Sequence, residues 1–381
     1  MPWTQAYQIG GPFLDYLDPF RGQQPPYASL NFPQPTTMLT IERGMRPPYA
    51  QNWNLSLQRS LAGSFLAELQ YVGTKGTRLP RFIEANPAVY TAGATSQDAE
   101  RRRIHADCPV EPARPCALSS VGLLVNSTNS TYHALQATLI RRFHAGLGFQ
   151  MSYWFSKTLD YVSSLNLSGS APRLLSGEND VAQNPFDLKA EHGPSLFDAR
   201  HRFVSSWSYE LPFFRRRGAG LANTLFGGWQ WNGIAVLSSA TPYTVYDSAN
   251  VSLQAQHPEI SGFTSARPDL VSNPSQGPHT VEQWVSRSAF RRLDPMTEAG
   301  KFGNAGRNVV RGPAFANLDL SLLKSFPVSE TQRFEFRAEC FNVTNHPNFG
   351  LPMTDVASPN FGRILESGPP RLFQFGLNFL F

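Results

Sequence analysis

The sequence predicts an all-β fold: an antiparallel transmembrane β-barrel segment of about nine to ten strands, with short turns at one end and long loops at the other. Three observations carry this expectation. Alternating segments of roughly ten residues recur along the chain, and strict alternation marks a strand with two different faces. That length is what a tilted strand needs to cross a bilayer. The connections between these segments alternate short and long, the arrangement of outer-membrane barrels with tight periplasmic turns and extended outer loops.

Each strand can be justified in order. QNWNLSLQ sets Trp53, Leu55 and Leu57 against Asn52, Asn54, Ser56 and Gln58. After the turn at Leu61-Ala62-Gly63, SFLAELQYVG continues with Phe65, Ala67, Leu69 and Tyr71 on one face, completing a hairpin. TYHALQATLIRRF, the turn His144-Ala145-Gly146 and LGFQMSYWFSK repeat the unit, with Leu147, Phe149, Met151, Tyr153 and Phe155 aligned. HRFVSSWSYELPF and GGWQWNGIAVLSS follow, then ANLDLSLLKSF and QRFEFRAECFN, joined through Pro327-Val328-Ser329-Glu330. RLFQFGLNFLF closes the series and runs toward the short-turn, periplasmic end. Long Pro-, Gly- and Asn-rich stretches at about 74–130, 159–197, 240–314 and 344–370 are expected to be the extracellular loops. Residues 36–44, TTMLTIERG, offer a weak tenth strand. The expected division is an irregular N-terminal segment over 1–46, forming part of an extracellular loop, and barrel over 47–381.

In QRFEFRAEC, Arg333, Glu335, Arg337 and Glu339 share one face in alternating sign, while Phe334, Phe336, Ala338 and Cys340 share the other. A barrel lumen accommodates the first set and lipid the second. A soluble β-sandwich with the charges on its solvent face fits these residues less well. It does not account for aromatic-heavy outer faces or for a last strand carrying Phe373, Phe375, Leu377, Phe379 and Phe381.

Composition bounds the function. Charged residues are 16% of 381, aromatics 12% with 28 Phe, and the net charge of +5 is thinly spread. Arg101-Arg102-Arg103 and Arg215-Arg216-Arg217 are the short basic runs, and they match solvated loops better than a nucleic-acid surface. No window approaches 18 consecutive apolar residues, which excludes a transmembrane helix. The N-terminal stretch has no basic region followed by an apolar one, so no export signal is expected on this chain. Cys108 and Cys116 enclose PVEPARP: a disulfide in an oxidising compartment, two thiols in the cytoplasm. In an external loop the disulfide is the expectation. Cys340 stands alone.

Nothing describes an enzyme. Ser321-Leu322-Leu323-Lys324 spells S-x-x-K, but it lies within a strand and lacks the companion S-D-N and K-T-G elements. Gly218-Ala219-Gly220 completes no phosphate loop, and the eight histidines form no metal-ligating pair, so no cofactor is expected. Asp187, Glu191 and Asp198 lie close together and are expected to cap turns at a loop-to-strand entry rather than bind a cation.

Taken together, several stretches closely resemble the C-terminal barrel portion of Oar-like TonB-dependent outer-membrane proteins, which often carry an N-terminal carboxypeptidase-regulatory-like domain. They include PYAQNWNLSLQRSLAGSFLAELQYVGTKGTRL, NSTYHALQATLIRRFHAGLGFQMSYWFSKTLD, NPFDLKAEHGPSLFDARHRF, FGNAGRNVVRGPAFANLDLSLLKSF and FRAECFNVTNHPNFGLP. The resemblance covers about residues 47–381. It implies a receptor or transporter with a plug inside a 22-stranded barrel, energised through the TonB system, in the outer membrane of a Gram-negative bacterium. The chain departs from that plan: it has no plug, no TonB-contact segment and fewer than half the strands, and is expected to be the C-terminal part of a longer receptor. RLFQFGLNFLF resembles the terminal signal read by the barrel assembly machinery, with Phe373, Phe375, Leu377, Phe379 and Phe381 at alternate positions. A surface structural, adhesion or export-associated role without nutrient uptake is the alternative. The substrate stays unassigned.

Overall fold

The structure is a computed structural model and describes residues 36–62, 64–88, 118–163, 182–212, 225–249, 251–252, 266–329 and 331–381. In chain order the strands are β1 (Thr36–Ile41), β2 (Tyr49–Leu61), β3 (Phe65–Glu84), β4 (Leu118–His144), β5 (Leu147–Asp160), β6 (Gly193–Pro194), β7 (His201–Glu210) and β8 (Trp229–Ser238). They continue as β9 (Pro242–Tyr243), β10 (Asp269–Leu270), β11 (Phe290–Arg291), β12 (Val310–Arg311), β13 (Phe315–Pro327), β14 (Arg333–Phe341) and β15 (Leu372–Leu380).

Nine of these make one antiparallel wall in the order β15-β14-β13-β8-β7-β5-β4-β3-β2. They correspond one for one to the nine alternating segments of the sequence. Register explains why alternation survives in the fold: directly opposed residues fall on the same face. Leu57 opposes Leu69, which opposes Ala137, then Tyr153, Phe203 and Leu237 across six strands. The row on β13 to β15 continues the pattern, with Leu322 opposite Ala338 and Ala338 opposite Phe375. A one-residue slip of any strand would move its whole apolar set to the other face.

That apolar face is exposed along its length: Leu55, Leu57, Phe155, Phe373, Phe375 and Leu377 all present large side chains outward. In water so large a patch would drive association, whereas facing lipid it is the required surface. Two glycines on it are covered by their cross-strand partners. The Trp53 indole occupies the space beside Gly73, and the Trp207 indole that beside Gly233, an aromatic cover that restores packing to a glycine in a strand.

The short links lie between β2 and β3, β4 and β5, and β13 and β14. In the β4–β5 hairpin His144 pairs with Leu147, and both loop residues, Ala145 and Gly146, have positive φ, as a two-residue hairpin of matching twist requires. Arg333, just after the β13–β14 turn, opposes Leu380, so β15 ends on the short-turn side.

The structure corrects three local expectations. β3 and β4 pair well beyond the expected hairpin, from Phe65↔Arg141 to Glu84↔Gly122, so much of the stretch at 74–130 is strand rather than loop. Register shifts near Leu79 and Thr77 interrupt this pairing, and the backbone hydrogen bonds need no apolar periodicity to continue. Within residues 1–46, the segment Thr36–Ile41 forms β1. It does not add a tenth wall strand; it runs parallel to Leu118–Leu124 on the extended part of β4.

The long connections fold as well. Tyr243, Val245, Val285, Phe290, Val310 and Phe361 meet in a buried apolar cluster that belongs to the β8–β13 and β14–β15 connections, not to the wall. Backbone bonds lace the two together: Trp284 N–H to Gly362 O at 2.7 Å, Ile364 N–H to Val281 O at 2.8 Å and Val356 N–H to Tyr246 O at 2.9 Å. The result is a compact platform at the long-loop end of the wall.

Candidate functional site

The platform is fastened to the wall by arginines from the β8–β13 connection meeting acids from the β5–β7 connection. Asp187 caps the 3-10 turn Leu188–Glu191 by accepting from the Lys189 N–H, and this turn presents Glu191 to the interior. Glu191 accepts two hydrogen bonds from Arg267, at 2.8 and 3.0 Å, with side-chain exposures of only 4% and 1%. The Gln183 N–H also reaches Glu191 at 3.0 Å, while the Arg267 N–H donates to Gln183 Oε1 at 2.7 Å. A fork-to-fork pair of this kind fixes orientation as well as charge.

Three further arginines form ion pairs in the same region. Arg307 donates to the Asp160 carboxylate, to the Asp160 carbonyl at 2.8 Å and to the Glu191 carbonyl at 3.0 Å, pinning the top of β5 to the platform. Arg311 pairs with Asp198, which also accepts from Lys157 at 3.2 Å and from the Thr158 N–H at 2.7 Å. Arg292 binds Asp247 through two contacts, at 3.0 and 3.1 Å. Each of these four buried acids, Asp160, Glu191, Asp198 and Asp247, is matched by a cation, which offsets the cost of burying its charge.

Two of these carboxyls, Glu191 and Asp198, are lowered by their partners. Burial raises the Glu191 carboxyl, but the Arg267 charge and hydrogen bonds, the Arg81 charge and the Gln183 N–H outweigh it and hold Glu191 below the usual carboxylate range. Burial likewise raises Asp198, and the Thr158 N–H, Arg311 and Lys157 bring it below its ordinary value. A carboxyl lowered in the folded state contributes stability that is complete above its unfolded pKa, and this is lost as pH falls through the folded pKa. Protease resistance of the platform is therefore expected to hold from neutral pH down to the ordinary Glu191 value of 4.5 and to fall below it. Limited proteolysis across a pH series, read at fragments between 266 and 311, checks this; constant resistance down to the lowest pH contradicts it.

Sequence reading assigned Asp187, Glu191 and Asp198 to turn capping. Asp187 does that, whereas Glu191 and Asp198 are chiefly ion-pair anchors for arginines 76 and 113 positions away. The signal was the acid cluster together with Arg267, Arg307 and Arg311 in one later loop, but no local period connects them.

The other singled-out residues lie as follows. Arg333, Glu335, Arg337 and Glu339 share the face of β14 opposite the apolar one, with Arg333 3.0 Å from Glu335. The cross-strand neighbours of the two acids are polar, with Glu339 opposite Ser321 and Gln374 and Glu335 opposite Ser325 and Asn378; Arg337 opposes Leu323 and Gly376, and Arg333 opposes Pro327 and Leu380. Phe373, Phe375, Leu377 and Phe379 stand on the apolar face of β15, and the Phe379 ring lies 4.8 Å from Phe334 and 5.9 Å from Phe381. Ser321 and Lys324 fall on opposite faces of β13; Ser321 opposes Glu339 and Lys324 opposes Phe336, so they cannot act as a nucleophile–base pair. Cys108 and Cys116 lie outside the described residues, and Cys340 is a free thiol.

A nine-strand antiparallel wall with a continuous exposed apolar face, a polar opposite face and long loops at one end is the wall of an outer-membrane β-barrel. The chain belongs to the family described as outer membrane beta barrel domain, whose model matches residues 3–374. No curated protein matches the chain. Among solved structures it is similar to the outer membrane transporter YddB from Escherichia coli, at 10% identity and a TM-score of 0.42, covering 90% of this chain and 33% of that one. It is also similar to the FrpB iron transporter from Neisseria meningitidis, at 13% identity and 0.41, covering 90% and 33%. A third is BauA, the ferric preacinetobactin receptor from Acinetobacter baumannii, at 10% identity and 0.39, covering 87% and 29%. The chain spans about a third of the length of these structures.

Proposed function

We propose that this chain supplies part of the wall and the extracellular, substrate-facing loops of a TonB-dependent outer-membrane transporter of the Oar-like type. The observation that carries the reading is the open wall. Among the described residues, nine wall strands alternating in direction leave β2 and β15 at the two edges, both running toward the short-turn end. Two strands of the same direction cannot close on each other antiparallel. Lipid also does not tolerate unpaired strand edges. An odd number of further strands completes an even barrel; at 22 strands, the number the resemblance implies, the lumen is wide enough for a plug rather than packed with side chains. The plug, carried elsewhere in the receptor, meets the TonB system; Arg333, Glu335, Arg337 and Glu339 line the lumen around it.

In this reading the platform is the surface a substrate meets first, and the Cys108–Cys116 disulfide pins an external loop. β15 is the strand engaged by the barrel assembly machinery, supported by its alternating Phe373, Phe375, Leu377, Phe379 and Phe381. Phe381→Asp is expected to reduce heat-modifiable barrel in the outer membrane several-fold, while Asn378→Ser, on the opposite face, leaves it near normal. Equal assembly of both variants contradicts this role.

Transport itself is tested by deleting the gene in the host. Protonophore-sensitive accumulation of at least one solute from a labelled mixture should disappear. A second reading, a surface adhesion role without uptake, draws on apolar side chains exposed among the loops, including Phe186, Phe197 and Met296. Unchanged uptake with altered attachment of cells to surfaces would favour it and overturn the transport reading.

A further inference from the structure

The apolar face of the wall is not smooth. Cross-strand rows place Leu69, Ala137 and Tyr153 side by side, with Arg59, Ala67 and Leu139 in the next row toward the short turns. Where most positions carry Leu, Phe or Tyr, Ala67 and Ala137 leave a hollow, and a groove of about 490 Å³ lies over them. Its walls are almost entirely hydrocarbon and aromatic. Arg59 stands at its periplasmic side, exposed, with no hydrogen bond or ion pair to the described residues. A lone cation on a lipid-facing surface is stable only where it reaches an anion or the headgroup layer.

A second cation lies nearby on the same face. Arg141 opposes Phe65 and Phe149, one same-face row closer to the turns, and its guanidinium sits 5.5 Å from the Phe65 ring centroid. Its buried Nε–H has no acceptor among the described residues. Neighbouring strands are about 4.8 Å apart, so Arg59 and Arg141, separated by β3 and by one row, have Cα atoms roughly 12 Å apart. Two extended guanidinium side chains span that gap to meet at one phosphate.

We propose that this groove is a binding site for one anionic phospholipid of the periplasmic leaflet, with an acyl chain over Ala67 and Ala137 and the phosphate between Arg59 and Arg141. The hydrocarbon lining matches a chain, and two cations at the headgroup level match a net negative headgroup. A zwitterionic choline headgroup would bring its own cation toward the two arginines. The site is built from the wall alone and does not depend on what the barrel transports.

The test uses the receptor purified from the host outer membrane in detergent and native mass spectrometry with added phosphatidylglycerol. The wild type is expected to retain one phosphatidylglycerol at least fivefold more than phosphatidylcholine. Arg59→Gln and Ala137→Phe should each lower retained phosphatidylglycerol at least fivefold. Ala137→Phe places an apolar ring on a face already rich in them, so its heat-modifiable migration should be normal and it reports on the groove alone. Equal retention of the two lipids by the wild type, or equal phosphatidylglycerol on the wild type and either variant, overturns the assignment.

Discussion

Replacing Arg267 with Met is expected to destabilise the loop platform by about 3–5 kcal/mol, the usual cost of removing one partner from a buried ion pair. Both side chains are almost fully enclosed, so water cannot take the place of the guanidinium. Met fills much of the volume of the Arg stem, which leaves charge rather than packing as the main loss. Glu191 would then hold only the Gln183 N–H and the more distant Arg81 charge. Adding Glu191→Gln to Arg267→Met removes the unpaired charge and keeps an acceptor for Gln183, so the double variant should recover at least about half of the loss. Protease-susceptibility midpoints of the loop fragments measure this. A double variant no better than Arg267→Met would mean that packing, not charge, holds the platform.

Phe375→Arg is expected to cost about 2–4 kcal/mol in barrel stability, the range for a cation on the lipid face near the bilayer midplane. Phe375 sits near the middle of β15, opposite Ala338, with 69% of its surface exposed on the apolar face. Its neighbour Gln374 points the other way and opposes Glu339. Gln374→Arg should therefore be nearly neutral, since a new cation there meets an acid in a polar setting. Urea unfolding of the reconstituted barrel, followed by heat-modifiable migration, separates the two. Equal losses would show that the two faces are not lipid and lumen.

Much of this was legible in the sequence because a membrane wall is written locally. Each crossing strand must alternate, so Trp53-x-Leu55-x-Leu57 or Phe373-x-Phe375-x-Leu377 announces both its conformation and its outward face. What escaped lies where that pressure ends. Beyond Gly73, β3 continues as TKGTRLPRFIE, which leaves the lipid and so carries no alternation, yet its backbone keeps pairing with β4 to Glu84. β1 was visible as a β-prone run, but nothing local said that it would lie parallel to β4.

The platform was the least legible part. Tyr243 stands between Pro242 and Thr244, Val285 follows only Trp284, and Phe361 lies between Asn360 and Gly362, so they form a core only after two loops meet. Glu191 looked like a turn former because its partner lies 76 residues ahead. Contacts of that span leave no period in the chain. The loops that would face a substrate are thus the part that sequence pattern describes least.

The orientation of the wall is the most direct test of the account. Met296→Cys places a thiol on the platform, where Met296 is 80% exposed, and Val328→Cys places one on the β13–β14 turn. In intact cells a membrane-impermeant maleimide should label Met296→Cys above the unsubstituted protein and should reach Val328→Cys only after the outer membrane is permeabilised. Labelling of Val328→Cys in intact cells with Met296→Cys protected would put the short turns outside and contradict the account.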